Sequence, residues 1–192
     1  MSPLRKKPRI GKGLNFLSNR YLQLFLASNI LIILDQYTKM WVTTHIPKGH
    51  FIGIIDNFFA LTHIRNPGVA FGLGAEWASE IKTYLFIGFS IVAIIAILVF
   101  FHQTPRENKK VRVALILVFS GAIGNLIDRI LYHEVIDFFD FYIGSYHWPA
   151  FNIADSCITV GVLLMFLDLI QAGKTPQAEG PPDTSENLSY SI

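Results

Sequence analysis

The sequence predicts an all-α integral membrane protein. The expected architecture is a bundle of four transmembrane helices, with a small extracytoplasmic β-sheet in the first outer loop and an interfacial second outer loop. Three observations carry this reading. Of 192 residues, 52% are hydrophobic and only 16% are charged, against about 25% charged in soluble domains. The few charges are clustered rather than spread. Between the clusters run apolar stretches near the 20 or so residues that span a bilayer's hydrocarbon core. The chain carries 16 Phe, 7 Tyr and 3 Trp, too much apolar material for disorder over most of its length. Its single cysteine, Cys157, excludes a disulfide framework. A net charge of +2 gives no reason to expect a nucleic-acid partner.

Residues 1–20 form a basic tail with Arg5, Lys6, Lys7, Arg9, Lys12 and Arg20 and no acidic residue. The first helix is expected over about 21–44. A cleavable signal peptide is the competing reading there, but Asp35 and Lys39 follow Leu34 where a small-residue cleavage site should stand. Retention as an anchor is therefore expected. Phe51–Ile55 and Phe58–Ile64 are rich in Ile and Phe, with Thr62 and His63 interleaved, and suit short strands. Asn66-Pro67-Gly68 signals a turn. The second helix, about 82–102, contains the cleanest span, Tyr84 to Phe101, with no charge at all. A loop with Arg106, Lys109, Lys110 and Arg112 leads to the third helix, about 112–132. Tyr132–Phe151 is dense in aromatic rings, which favour the membrane interface. The fourth helix is expected over 152–170. Residues 171–192 are polar and rich in Pro and Gly, and read as a disordered tail.

The positive-inside rule orients this bundle. The N-terminal tail and the loop around 103–112 carry the basic clusters, so they and the C-terminal tail are expected in the cytoplasm. Residues 21–170 then form one membrane domain. Asp35 and Lys39, Asn125, Asp128 and Arg129, and Asn152 and Asp155 all fall at the outer ends of their helices, with Asp137 in the loop between the third and fourth. Ionisable residues in a bilayer cost several kcal/mol each and persist when paired or when they work. Asp35 and Lys39 are four apart on one helical face, fitting either a structural ion pair or direct chemistry. Arg129 points away from Asp128 and suits structural support. Asn152 can cap the fourth helix, with Asp155 where the helix dipole favours a carboxylate. Asp140 reads as a solvated loop residue and Cys157 as a packing residue. The six histidines show no metal-ligand spacing, and no G-x-S-x-G or P-loop motif is present. No metal or cofactor is expected.

Two carboxylates sharing a partly apolar site cannot both ionise cheaply, so one keeps a proton and the other can take one from water. Asp137 and Asp155 are the best pair by position, and the chemistry is that of an aspartic peptidase. A proton-coupled carrier is the alternative, but it predicts polar residues through the whole bilayer depth.

Five segments carry a family resemblance: Asp35-Gln36-Tyr37-Thr38-Lys39, Asn66-Pro67-Gly68-Val69-Ala70-Phe71, Gly121 through Arg129 (GAIGNLIDR), Val135-Ile136-Asp137-Phe138, and Phe151-Asn152-Ile153-Ala154-Asp155-Ser156. In order and approximate spacing they resemble the successive motifs of lipoprotein signal peptidase (signal peptidase II), over about residues 20–170. The resemblance implies a membrane aspartic endopeptidase of the bacterial cytoplasmic membrane that cleaves prolipoproteins before the lipid-modified cysteine of the lipobox, and that is sensitive to globomycin. It implies Asp137 and Asp155 as the catalytic dyad. It places supporting or substrate-binding roles on Asp35, Lys39, Asn66, Gly68, Ala70, Phe71, Asn125, Asp128, Arg129, Asn152 and Ala154. It agrees with four helices and a small sheet, and the bundle needs no second copy to assemble these residues, so a monomer among membrane lipids is expected. Pro67 and Val69 occupy variable places in the second motif, and the tail beyond Gln171 has no counterpart.

Overall fold

A computed structural model of the chain describes residues 19–68 and 79–173. The predicted roles of Ala70 and Phe71, and most of both tails, lie outside the described residues. The element order is α1 (Arg20–His45), β1 (Phe51–Ile55), β2 (Phe59–Asn66), α2 (Ser79–Gln103), α3 (Lys109–Tyr132), β3 (Val135–Ile143), β4 (Tyr146–His147) and α4 (Ile153–Gly173).

Local chemistry delimits α1 and α3. Asn19 caps α1 by accepting from the Tyr21 amide, and Asn108 caps α3 by accepting from the Val111 amide, each taking one of the unpaired N–H groups of a first turn. His133 ends α3 in the left-handed conformation at φ 62°, its amide returning to the Arg129 carbonyl. That reversal sends the chain directly into β3.

Ile81–Gln103, Lys109–Tyr132 and Ile153–Gln171 are long and apolar enough to cross a membrane. The fourth helix, α1, has 26 residues, but Gln23, Asn29, Asp35, Gln36 and Lys39 dilute its apolar run. By length and composition three of the four helices are candidate spans, where the sequence predicts four. The bundle is apolar outside: Phe25, Ile30, Ile33, Phe89, Val92, Leu163 and Leu169 are all exposed. So much exposed apolar surface suits hydrocarbon rather than water.

Helix α3 is the centre, packing against α1, α2 and α4. A Cβ on Gly121 would run into the Ala154 carbonyl oxygen of α4, so the α3–α4 contact depends on a residue without a side chain, as is common between membrane helices. At one end of the bundle Leu24, Ile97, Phe101 and Leu115 join α1, α2 and α3. At the other, Phe138 of β3 packs with Val42 and Ile46 at the end of α1. This second cluster docks the sheet onto the helices.

The sheet corrects one expectation. It has four antiparallel strands in the order β1-β2-β3-β4, drawn from both outer loops rather than the first alone. The segment expected to be an interfacial loop supplies the central β3. Its run of β-branched and aromatic residues has strand propensity, and β2 offers an open edge to it. Asp140 is a second correction: it is buried, not solvated, and both carboxylate oxygens lie 3.0 Å from His147 Nδ1, brought back by the short β3–β4 hairpin.

Replacing Gly121 by Leu is expected to destabilise the bundle by at least about 1–3 kcal/mol, because the overpacked group meets backbone rather than a movable side chain. Thermal unfolding in detergent measures this, and an unchanged midpoint would contradict the packing described.

Candidate active site

The site begins with an ion cluster. Lys39 Nζ lies 2.8 Å from Asp35 Oδ2 and 2.9 Å from Asp128 Oδ2, and it donates to Asn125 Oδ1 at 3.1 Å. An ammonium has three N–H donors, and here each has an acceptor. Lys39 and both carboxylates are almost wholly buried, at 1% exposure or less. Gly124 makes room for this: a Cβ there would lie 2.6 Å from Asp35 Oδ2.

The second oxygens and lone pairs of these carboxylates reach outward. Asp35 Oδ1 accepts from the Ala154 amide at 2.9 Å, one of the N–H groups left unpaired in the first turn of α4. Asp128 Oδ2 accepts from the Ile136 amide at 3.1 Å. Ala154 immediately precedes Asp155, and Ile136 immediately precedes Asp137. The ion cluster therefore holds, one residue upstream, the backbone of each candidate catalytic aspartate.

Three asparagines complete the arrangement. Asn152 and Asp155 cap α4 reciprocally: Asn152 Oδ1 accepts from the Asp155 amide at 2.8 Å, and Asp155 Oδ2 accepts from the Asn152 amide at 3.2 Å. This is a capping box with an aspartate in place of the usual glutamate. Asn152 Nδ2 faces Asp137 Oδ1 at 2.8 Å, Asn125 Oδ1 at 3.1 Å and the Ile136 carbonyl at 3.2 Å. Asn125 Nδ2 donates to Asp155 Oδ1 at 2.7 Å. Since the Asn125 oxygen receives the Lys39 ammonium, only its amide nitrogen can face Asp155. Asn66 Nδ2 donates to Asp137 Oδ2 at 3.0 Å, while Asn66 Oδ1 accepts from the Gly68 amide at 2.8 Å. The β2–β3 pairing of Asn66 with Val135 sets that diagonal contact. Gly68 has φ +84°, and a Cβ on it would penetrate the Phe86 ring, so both the turn and the close approach require glycine.

Asp137 is 2% exposed, and burial pushes its carboxyl up to about 7. The Asn66 and Asn152 hydrogen bonds and the Lys39 charge oppose that rise, and the charge of Asp155 adds to it. Asp155 is only half-buried. The pair thus places one carboxyl that holds a proton near neutral pH beside another that water can reach, an arrangement suited to acid–base chemistry.

Asp35, Lys39, Asn66, Asn125, Asp128, Asp137, Asn152, Ala154 and Asp155 all enter one network, and Gly68 joins it through Asn66. Arg129 joins the network only through its charge, which acts on Asp155, Asp128 and Asp137. It has no hydrogen bond or ion pair among the described residues, and its guanidinium lies 5.6 Å from the centre of the Phe86 ring. Gln36 is the residue that sequence reasoning missed: its amide faces Asp128 Oδ1 at 2.9 Å, the Gly124 carbonyl at 3.1 Å and Asp35 Oδ2 at 3.2 Å. Its place three residues before Lys39 on the same helix face was the available signal. Among the described residues no three or more His, Cys, Asp or Glu side chains converge as metal ligands.

The raised Asp137 value has a consequence for stability. Between the ordinary aspartate value of 3.8 and about 7, the unfolded chain gives up this proton while the folded chain keeps it, so this group's contribution to stability falls as pH rises through that window. Asp137→Asn, which cannot ionise, is expected to gain thermal stability relative to the unsubstituted protein over the same window. Unfolding midpoints compared across pH test this, and a constant difference between the two proteins would contradict it.

Comparison with known proteins agrees with the fold and the motifs. The family model described as signal peptidase (SPase) II matches residues 27–171. The lipoprotein signal peptidase of Desulforapulum autotrophicum is 44% identical over 148 residues, covering 77% of this chain and 91% of the relative. That of Geobacter sulfurreducens is 42% identical over 73% of this chain and 86% of its own. That of Bacillus pumilus is 38% identical over 78% and 94% respectively. Two solved structures, each described as a bacterial membrane enzyme, superpose with TM-scores of 0.72 and 0.69 at 34% and 36% identity. They cover 83% and 78% of this chain and 94% and 93% of theirs. With a family model matched over most of its length and relatives above 40% identity, the chain belongs to the signal peptidase II family.

Proposed function

We propose that this protein is an aspartic endopeptidase that removes the signal peptide from diacylglyceryl-modified bacterial prolipoproteins, cleaving before the lipidated cysteine. Family membership supplies the coarse activity, a protease of lipoprotein maturation. The observation that carries the finer reading is Asn152: its side chain faces Asp137 and its backbone amide donates to Asp155, so one residue ties the two carboxylates into a single unit.

In this mechanism Asp137, whose burial disfavours its charged form, holds the proton. Asp155, open to water, takes a proton from a water molecule lying between the two. The resulting hydroxide attacks the scissile carbonyl, and Asp137 gives its proton to the departing amine. Asn125 and Asn66 fix the orientation of each carboxylate throughout. Arg129, without an ion-pair partner among the described residues, is available to the substrate backbone. Asn66 through Phe71 in the outer loop would hold the lipid-bearing residue.

The reading also takes α1 as a fourth span. At 1.5 Å per residue it is about 39 Å long. Asp35 and Lys39 turn inward and are buried, while Phe25, Ile30, Ile33, Leu34 and Met40 face outward, so its outer surface is compatible with lipid. The basic end of the bundle then faces the cytoplasm, with both termini. The dyad and the sheet lie near the outer leaflet of the bacterial inner membrane. The substrate's acyl chains stay in the bilayer and set the depth of the scissile bond. All network residues come from one chain, which supports a monomer.

Asp137→Asn and Asp155→Asn, purified and incubated with a diacylglyceryl-modified prolipoprotein, are each expected to lose cleavage by at least about 10²-fold, while the unsubstituted protein is blocked by globomycin. Mass spectrometry of the substrate reads the result. Undiminished cleavage by either variant would overturn the dyad.

A further inference from the structure

The end of the bundle away from the dyad carries a second feature. An apolar groove of about 290 Å³ lies between α1 and α3, lined by Tyr21, Leu24, Phe25 and Ile32 on one side and Phe119 and Ile123 on the other. Two polar residues, Ser28 and Asn29, also line it, but both donate to carbonyls of their own helix. The groove offers an occupant almost nothing polar along its length. From Tyr21 to Ile32 it runs for about 16 Å, close to half of the roughly 30 Å hydrocarbon thickness.

Two arginines lie beyond its Tyr21 end, Arg20 next to Tyr21 on α1 and Arg112 about two turns before Phe119 on α3. Arg20 donates to Tyr21 Oη at 2.9 Å and to the Thr104 carbonyl at 3.3 Å, and its Nε is buried without a hydrogen-bond partner among the described residues. Arg112 Nε is buried and unpartnered in the same way. Arg112 precedes Phe119 by seven residues and Ile123 by eleven, which at 3.6 residues per turn puts each of them within about 20° of Arg112, on one face of α3. The two arginines also stand level. Leu24 and Leu115 pack in one cluster, and each arginine lies one turn before its leucine, toward the same end of the bundle.

A buried guanidinium donor without an acceptor is costly. Two of them above a slot as long as one leaflet call for an anion that carries a hydrocarbon tail. We infer that this groove binds one anionic phospholipid, its phosphate between Arg20 and Arg112 and one acyl chain along α1 and α3. A volume of about 290 Å³ spread along about 16 Å leaves a cross-section well below that of a helix, which is about 10 Å across with its side chains, so neither a signal peptide nor a second copy of this chain would fill it. On the orientation proposed above the bound lipid belongs to the cytoplasmic leaflet; the site itself does not depend on that orientation.

Native mass spectrometry of the full-length protein released from detergent, after incubation with phosphatidylglycerol or phosphatidylcholine of matched chains, tests this. One phosphatidylglycerol is expected to be retained with at least about tenfold preference, the scale of a hydrogen bond to a charged group. Inorganic phosphate in excess should not displace it. Arg112→Gln should bring the two lipids near parity. Ile123→Trp, which keeps both arginines but fills the slot, should lose retention of either. Equal retention by the unsubstituted protein, displacement by inorganic phosphate, or preference surviving in both variants would overturn the inference, as would a retained peptide or second protomer in place of lipid. Retention is read from mass alone, so a protein that binds the lipid without cleaving prolipoprotein would refute only the peptidase reading.

Discussion

One ammonium between two carboxylates organises this molecule. Lys39 meets Asp35 and Asp128 in a region from which water is excluded, and its third donor goes to Asn125. Desolvating such charges is expensive, and the attraction between them offsets the cost only when geometry and additional hydrogen bonds are complete. Here they are: the remaining acceptor capacity goes to the Ala154 and Ile136 amides and to Gln36. Those amides belong to the residues before Asp155 and Asp137, so the cluster's position fixes both catalytic candidates at once. A helix from the first motif, the central helix, the strand and the last helix are joined at one point.

The rest of the architecture serves that junction. Glycines at 121 and 124 let α3 approach α4 and the Asp35 carboxylate closely. The His133 reversal turns α3 straight into β3, so Asp128 on the helix can reach the start of the strand. The Phe138, Val42 and Ile46 cluster seats the sheet on the end of α1. Burial then works against the group it positions, because Asp137 is held where its charge is disfavoured.

Much of this was legible in the sequence. The apolar runs match α2, α3 and α4 within a few residues, and Asp35, Lys39, Asn125, Asp128, Asn152 and Asp155, which the sequence places at one side, come together in one hydrogen-bonded cluster. The Asn152 and Asp155 capping relation followed from their spacing. What escaped detection depended on tertiary pairing. Strand β3 hid inside an aromatic segment because an inward Asp137 and a part-buried Phe139 break simple alternation. Asp140 looked solvated because its partner His147 is brought to it only by the hairpin. Gln36 carried no charge to mark it. The grip of Asp35 and Asp128 on two distant backbone amides has no sequence signature, since backbone donors are common to nearly every residue.

The most direct measurement is the prolipoprotein cleavage rate of Lys39→Met, a variant that keeps the side chain's length and removes its charge. If the ammonium holds the dyad in register, the variant inserts into the membrane and binds substrate but cleaves at least about 10²-fold more slowly, the scale of losing positioned acid–base groups. Cleavage at the unsubstituted rate would contradict the account, because Asp35, Asp128 and Asn125 would then hold the catalytic backbone without the charge that joins them.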